Sequence, residues 1–514
     1  MTAVQQAPAG PPGGPSGRVA GNGAPAAGGT APPPERPSER RLRRAAPGEP
    51  SGIARALPRT VAGRIRVLTA AVAVVLVALL VAAWAAIADA RDGVKVIGKD
   101  AGPQVVATGD MYFQLSDMDA QLANALLAGP AAGGGRDQAL ARYDQDRQRA
   151  GVALLKAAKL ADETTEDDTA RDLLDGIGRY ERLASQALLL DQQSGRTSGQ
   201  PPKKVLDLYR QATDMMKLDL LPKAYNLTLD NGTLVRHTYE EKRSDVRSGA
   251  LWVIVTGIVL LGVLLGLQAY LARRFRRLLN PALAVATLGA LVLVAACAAM
   301  LAGQGDDLRR AKEQGFDPIL SLSRARAISN SANADETRFL LDPARADSYE
   351  QVYLKKSQTV LYLKAGNLDE YNAAVQKGLR VDQGRAPFLG FLGTEANRVD
   401  DLARPVDTED ALKRVLADYQ RVQENDHRMR ALVDGGQRAQ ASAARGAATA
   451  DFTRYDKDMQ TLIGIHWGAF QQAVKDGEDG TGGWYAILPV AGIAIVALAL
   501  VGVRPRLAEY RWQR

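Results

Sequence analysis

The chain has 514 residues, 65 basic against 57 acidic side chains, three histidines and a single cysteine. One cysteine excludes an intramolecular disulfide, so any domain outside the cytoplasm must be held by its own core. The net charge of +8 would suit nucleic acid, but residues 1–66 carry ten Arg against three Glu, while 89–248 and 304–483 each hold a small acidic excess. That distribution is the positive-inside pattern of a membrane protein, and no nucleic-acid partner is expected.

Residues 1–50 are rich in Pro, Gly and Ala and are expected to be disordered, since they cannot bury enough apolar surface to offset their ordering entropy. A basic cluster follows at Arg40, Arg41, Arg43 and Arg44. Its expected roles are to set topology beside anionic lipid headgroups or to dock a cytosolic partner. Val67–Ala88 is the first apolar run, read as an uncleaved anchor although Ala88-Asp89-Ala90 imitates a signal-peptidase site.

Residues 89–248 carry helical periodicity broken at few places. The expected helices end at Gly129-Pro130, span about 137–160, run to about Leu190, and restart near Lys203 past a kink at Pro222. Lys217 and Lys223 lie mid-way along the last of these. Two further apolar runs, Leu251–Leu271 and Ala282–Leu301, are joined by Arg273-Arg274-Phe275-Arg276-Arg277, a turn whose four arginines favour the cytoplasm. The second half repeats the plan. Helices cover about 306–341, ended by Asp342-Pro343, then about 347–364, 408–433 and 438–474. Trp484–Val503 is the fourth run and a short basic tail follows.

The expected fold is therefore all-α: an integral membrane protein with four transmembrane helices and two extracytoplasmic up-down helical bundles. The expected divisions are a tail at 1–66, spans at 67–88, 249–272, 281–303 and 484–503, bundles at 89–248 and 304–483, the basic turn at 273–280 and a tail at 504–514. Trp84, Trp252 and Trp484 sit near the outer ends of their runs, where indoles anchor at the interface.

The sequence offers little catalytic chemistry. His237, His427 and His466 lack metal-ligand spacing, and Walker A, dinucleotide-binding and nucleophile-elbow motifs are missing. Acid pairs such as Asp167-Asp168, Asp306-Asp307 and Asp400-Asp401 are expected to be solvated helix ends. No enzyme activity, cofactor or metal is expected. The apolar runs hold no Asp, Glu, Lys, Arg or His, which disfavours a transporter.

The helix–bundle–helix layout of the first half resembles four-helix-bundle sensor domains of bacterial chemoreceptors and sensor kinases. Leu271-Ala272-Arg273-Arg274-Phe275-Arg276-Arg277 followed by Pro281 is similar to the opening of a HAMP linker, but the chain turns straight back into the membrane. The four spans, two helical domains and N-terminal tail also resemble the actinobacterial GlnX membrane proteins. That resemblance implies relay of amino-acid sensing from a glutamate-binding lipoprotein to a cytosolic Ser/Thr kinase.

The expected function is a non-enzymatic sensor or signal-relay subunit in the plasma membrane, with both termini cytoplasmic. It would detect a small solute or an extracytoplasmic solute-binding protein and pass that state to a cytosolic partner such as a kinase. Membrane lipids are the other expected partner, and an oligomer is compatible with the layout. No output domain follows the basic turn, so the output is expected to lie in that partner. The alternatives are a structural cell-envelope scaffold with no ligand switch and, behind it, a transporter subunit.

Overall fold

The computed structural model describes residues 60–131, 134–160, 164–275, 280–379, 387–398, 405 and 407–508. The basic cluster at Arg40, Arg41, Arg43 and Arg44, Arg276 and Arg277 of the turn, and residues 509–514 lie outside the described residues. Those described are helical almost throughout, with one isolated bridge between Tyr362 and Leu389.

In the first half, α1 (Val61–Lys95) passes through a π-helical segment (Val96–Ala101) into α2 (Gly102–Ala128). Then come α3 (Gly134–Leu160), α4 (Thr164–Ser194) and α5 (Lys203–Met215). A second π segment (Met216–Leu220), directly before Pro222, leads into α6 (Leu221–Phe275), which continues unbroken for 55 residues. In the second half, α7 (Pro281–Arg310) passes through a third π segment (Ala311–Phe316) into α8 (Asp317–Leu341). Next come α9 (Ala346–Val360), α10 (Leu368–Gln376), α11 (Gly390–Asn397), α12 (Thr408–Asp434), α13 (Arg438–Thr481) and α14 (Trp484–Ala508).

Local chemistry explains the boundaries. Thr60 caps α1 by accepting from the Gly63 amide at 3.2 Å, and Asn367 caps α10 by accepting from Glu370 at 2.8 Å. Gly436, at φ 77°, closes α12: its amide bonds Val433 and the following Gln437 amide bonds Leu432. That turn lets α13 fold back along α12.

Four helices are long and apolar enough to cross a membrane: Val61–Lys99, Arg236–Arg274, Pro281–Leu341 and Arg438–Pro505. Their apolar stretches form a ring, with α1 against α6 and α14, and α7 against α6 and α14. Leu76, Leu264, Leu293 and Ile495 meet in one buried cluster at its centre. Val77, Ile258, Leu288 and Ile493 face outward and are exposed, as a hydrocarbon surround requires. A Cβ on Gly249 would stand 2.6 Å from that of Ala86, so α1 and α6 approach closely because of that glycine.

Trp84 packs edge-on against Tyr485 with ring centroids 4.8 Å apart, which sets the ends of the first and fourth apolar runs level. Trp252 is 61% exposed and Trp484 half-buried. Arg273 and Arg274 are exposed in the last turn of α6.

Beyond the apolar spans the two halves share a core. Leu122, Leu126, Tyr180 and Tyr209 of the first half lie in one cluster with Phe339, Leu341, Tyr349 and Met429 of the second. At the centre runs α8, which packs on α2, α9 and α13. Its polar stretch Ser329–Arg338 is buried throughout. Such burial is tolerated only when each charge is paired and hydrogen-bonded.

Arg338 is the clearest case, with no exposed surface. It donates to Asp335 on its own helix and to Asp119 on α2. Asp119, also fully buried, accepts from Tyr180 Oη at 3.0 Å and from Thr213 Oγ1 at 2.6 Å. One carboxylate thus ties α2, α4, α5 and α8. Asp335 in turn accepts from Lys356 of α9 and from Lys217 at 3.4 Å. Burial brings the Lys356 ammonium down to about 8 against the opposing pull of Asp335. Outside this seam, Arg210 of α5 donates to Asp342 at 2.8 Å and Arg345 donates to Asp214 at 2.9 Å. Exposed pairs such as Lys413–Glu409 are screened by solvent and contribute little, so the buried group dominates. The structure corrects one detail of the acid pairs: Asp307 is 8% exposed and pairs with Arg310 instead of lying solvated.

Replacing Arg338 by Leu would strand two buried carboxylates. We expect a loss of about 3–5 kcal/mol, the range for breaking a buried pair. Chemical unfolding of the purified protein measures it, and a loss under about 1 kcal/mol would show that the seam is not holding the halves together.

Candidate functional site

The lysines singled out in the sequence are already paired. Lys217 meets Asp335 and lies over the Tyr349 ring at 5.0 Å. Lys223 meets Asp219 at 2.9 Å and Asp172 at 3.4 Å. Open space lies elsewhere, at the end of the helices farthest from the apolar spans.

There a cavity of about 330 Å³ opens between the halves. Its first-half wall is α2, α3 and Ser198; its second-half wall is the start of α13. Gln121, Asn124 and Arg142 face Ser442, Arg445 and Thr449 across it. The volume is at the lower end of small-molecule pockets.

The walls are positioned by buried polar groups. Asn124 donates to Gln121 Oε1 at 3.3 Å and accepts from Thr337 of α8 at 2.8 Å. Arg445, 3% exposed, donates through Nε to Thr337 at 3.1 Å and through Nη2 to Asn333 Oδ1 at 2.7 Å, with Glu336 at 3.5 Å. Gln121 donates to Asp117 at 3.2 Å. Asp117 also shares a hydrogen bond with Asp146 of α3. Burial, reinforced by Asp117, raises the Asp146 carboxyl to about 9, against the weaker pull of Arg149 and Arg142. Burial and the neighbouring Asp117 thus favour the protonated form of Asp146.

From the cavity, the 44-residue α13 leads toward the fourth apolar run, a path of about 58 Å from Arg445 to Trp484 at 1.5 Å per residue. On the way it meets the π segments of α1 and α7. A Cβ on Gly315 would stand 2.5 Å from the Phe470 Cβ, and one on Gly102 would stand 3.0 Å from the same ring. Phe470 and Ala473 share a buried cluster with Val94, Ile97, Leu308, Ala311 and Phe316. The two helices that rise from the first and third spans thus clasp one phenylalanine of the helix entering the fourth.

A π segment breaks the regular backbone ladder and frees carbonyl groups. Those of the third segment are caught by side chains. Arg398 Nη1 donates to the Glu313 carbonyl at 3.1 Å, and His466 Nδ1 donates to the Gln314 carbonyl at 2.7 Å. The other ring nitrogen, Nε2, stands 2.9 Å from Glu395 of α11, which also faces Arg398 at 3.6 Å. The short helix α11 is thereby tied to the junction. The sequence left His466 without a role; its buried partners come from residues 71 and 152 positions away.

Two measurements follow. Between pH 4 and 9 folded Asp146 keeps a proton that the unfolded chain releases near its ordinary 3.8, so the folded state binds more protons and loses stability as pH rises through that window. The melting temperature should fall from pH 5 to pH 9, and Asp146→Asn should flatten that slope; an unchanged slope would refute the neutral-acid assignment. His466→Phe should cost about 1–3 kcal/mol by orphaning a buried carbonyl and a buried carboxylate. It should also raise amide exchange across 311–316, and unaltered exchange there would show that His466 does not hold the π segment.

Residues 93–240 match the family model of an actinobacterial sensor domain. The match runs from the last turn of α1, through the first π segment and α2 to α5, into α6. No curated protein and no solved structure matches the chain. Taken with the four apolar helices, the match supports a membrane protein with a sensor role.

Proposed function

We propose that this protein is a non-enzymatic sensor or signal-relay subunit of the plasma membrane. Both helical bundles stand outside and both termini in the cytoplasm. The bundles detect a small solute, or a solute-loaded binding protein, and the state passes through the four spans to a cytosolic partner such as a kinase. Contacts with that partner fall to the N-terminal arginine cluster, the basic turn at Arg273, Arg274, Arg276 and Arg277, or the C-terminal tail.

The observation that carries this reading is the continuity of helix from the sensor-like region into the membrane. The matched stretch begins and ends on helices that contain apolar spans. The cavity wall of the other half is the start of a helix that reaches the fourth span. A shift of 1–2 Å in such a helix is the usual amplitude of a signalling transition. The acidic excess of both outer regions and the arginines of the turn support the orientation.

A scaffold with no switch remains the competing function, and ligand response separates the two. The full protein in nanodiscs would be melted against a library of metabolites. A ligand at about 100 times its Kd should stabilise by about 2.7 kcal/mol, whereas a scaffold responds to none. Cysteine substitutions at Ser198 and Arg274, labelled in intact cells with an impermeant maleimide, test orientation: only the first should react.

A further inference from the structure

Within the sensing reading, on which this inference rests, we propose that the cavity between the halves binds a small organic or inorganic anion that carries no ammonium group, and that Arg142 and Arg445 grip it from opposite sides.

The lining decides the charge. Among the described residues that form it, the only ionisable side chains are two arginines, one from each half; the remaining polar ones are amides and hydroxyls. Nearby carboxyl groups are taken. Glu336 faces Arg445 from behind, and Asp117 is bonded to Gln121 and Asp146. An ammonium group entering the cavity would lose its water and find no free acid, a cost that an anion avoids.

The two guanidinium groups are prepared for this in different ways. Arg445 is fixed by Thr337 and Asn333 through Nε and Nη2, while Nη1 has only a 3.5 Å contact to Thr449, another lining residue. Arg142 is half-buried and has neither a hydrogen bond nor an ion pair among the described residues. The acid that acts on it, Asp146, has its carboxyl pushed up by burial and by Asp117 and makes no ion pair with it. A half-buried guanidinium with free donors beside a polar cavity lacks an anionic partner, and guanidinium suits carboxylate and phosphate alike.

The arrangement also gives the ligand a mechanical effect. Without a ligand, two like charges face each other across the seam between the halves. An anion between them turns that repulsion into attraction and draws α13 toward α3. A volume of about 330 Å³ admits a dicarboxylate or a phosphate but not a large polyanion.

The test uses the full-length protein in phosphatidylcholine nanodiscs, so that no anionic headgroup competes, at constant ionic strength. Thermal shift and calorimetry are run with succinate, citrate and inorganic phosphate, and with aspartate as the aminated counterpart of succinate. The expected result is that at least one anion raises the melting temperature, that aspartate binds at least tenfold more weakly than succinate, and that Arg142→Gln abolishes the shift. Arg142 is half-exposed with no partner to strand, and its loss removes a repulsion, so that variant should melt no lower than the wild type without ligand. Arg142→Lys should keep weakened binding.

Failure of every anion, equal binding of aspartate, or a shift that survives Arg142→Gln each overturns the proposal. A neutral or cationic metabolite that stabilises both wild type and Arg142→Gln would overturn it while leaving the sensing function standing.

Discussion

The region beyond the apolar spans depends on a guanidinium that touches no water. Arg338 lies between Asp119 of one half and Asp335 of the other, and Asp119 is also the acceptor for Tyr180 and Thr213. Desolvating these charges is expensive, and their mutual attraction repays it only in one geometry. An apolar seam would tolerate sliding between the halves. This seam does not, because a shift of an ångström or two would leave a buried charge without its partner. The halves therefore meet in one register, and the polar walls of the nearby cavity inherit that precision through Thr337, Asn333 and Glu336 of the same helix.

Precision at the seam contrasts with looseness where the bundles meet the spans. The three π segments interrupt otherwise continuous helices, and two of them stand at the same level, directly above the apolar stretches of α1 and α7. In the third segment, freed carbonyl groups accept from His466 and Arg398 of other elements. Bonds of this kind can be exchanged at less cost than a regular helical ladder. The molecule thus pairs a fixed seam with a junction whose backbone has alternatives.

Much of the architecture could be read from the residues. Apolar run lengths and the arginine turn mark the four spans, and Gly129-Pro130, Pro222 and Asp342-Pro343 mark breaks that fall where the helices end or change type. The seam could not be read so. Ser329–Arg338 has the composition of a solvated helix, and only tertiary neighbours far along the chain reveal it as buried. The pairing of Lys217 could not be read either, because its acid, Asp335, is remote in sequence, whereas Lys223 has Asp219 one helical turn before it as well as the remote Asp172. Arg142 and Arg445, which line the cavity, carry no local signal at all, since their significance lies in facing each other across two halves.

The paired π segments have a consequence for how the spans can move. Each inserts an extra residue into a helical turn, so the face that a helix presents below the segment is offset by about 100° from the face a regular helix would present. The segments therefore act as phase adjusters: the stripe packed around Phe470 and the stripe packed within the membrane ring need not lie on one line. If an extra residue migrated along α7, the third span would rotate about its axis while both ends kept their depth. Such a turn would reorient the N-terminal end of that span, beside the arginine turn, without any piston stroke.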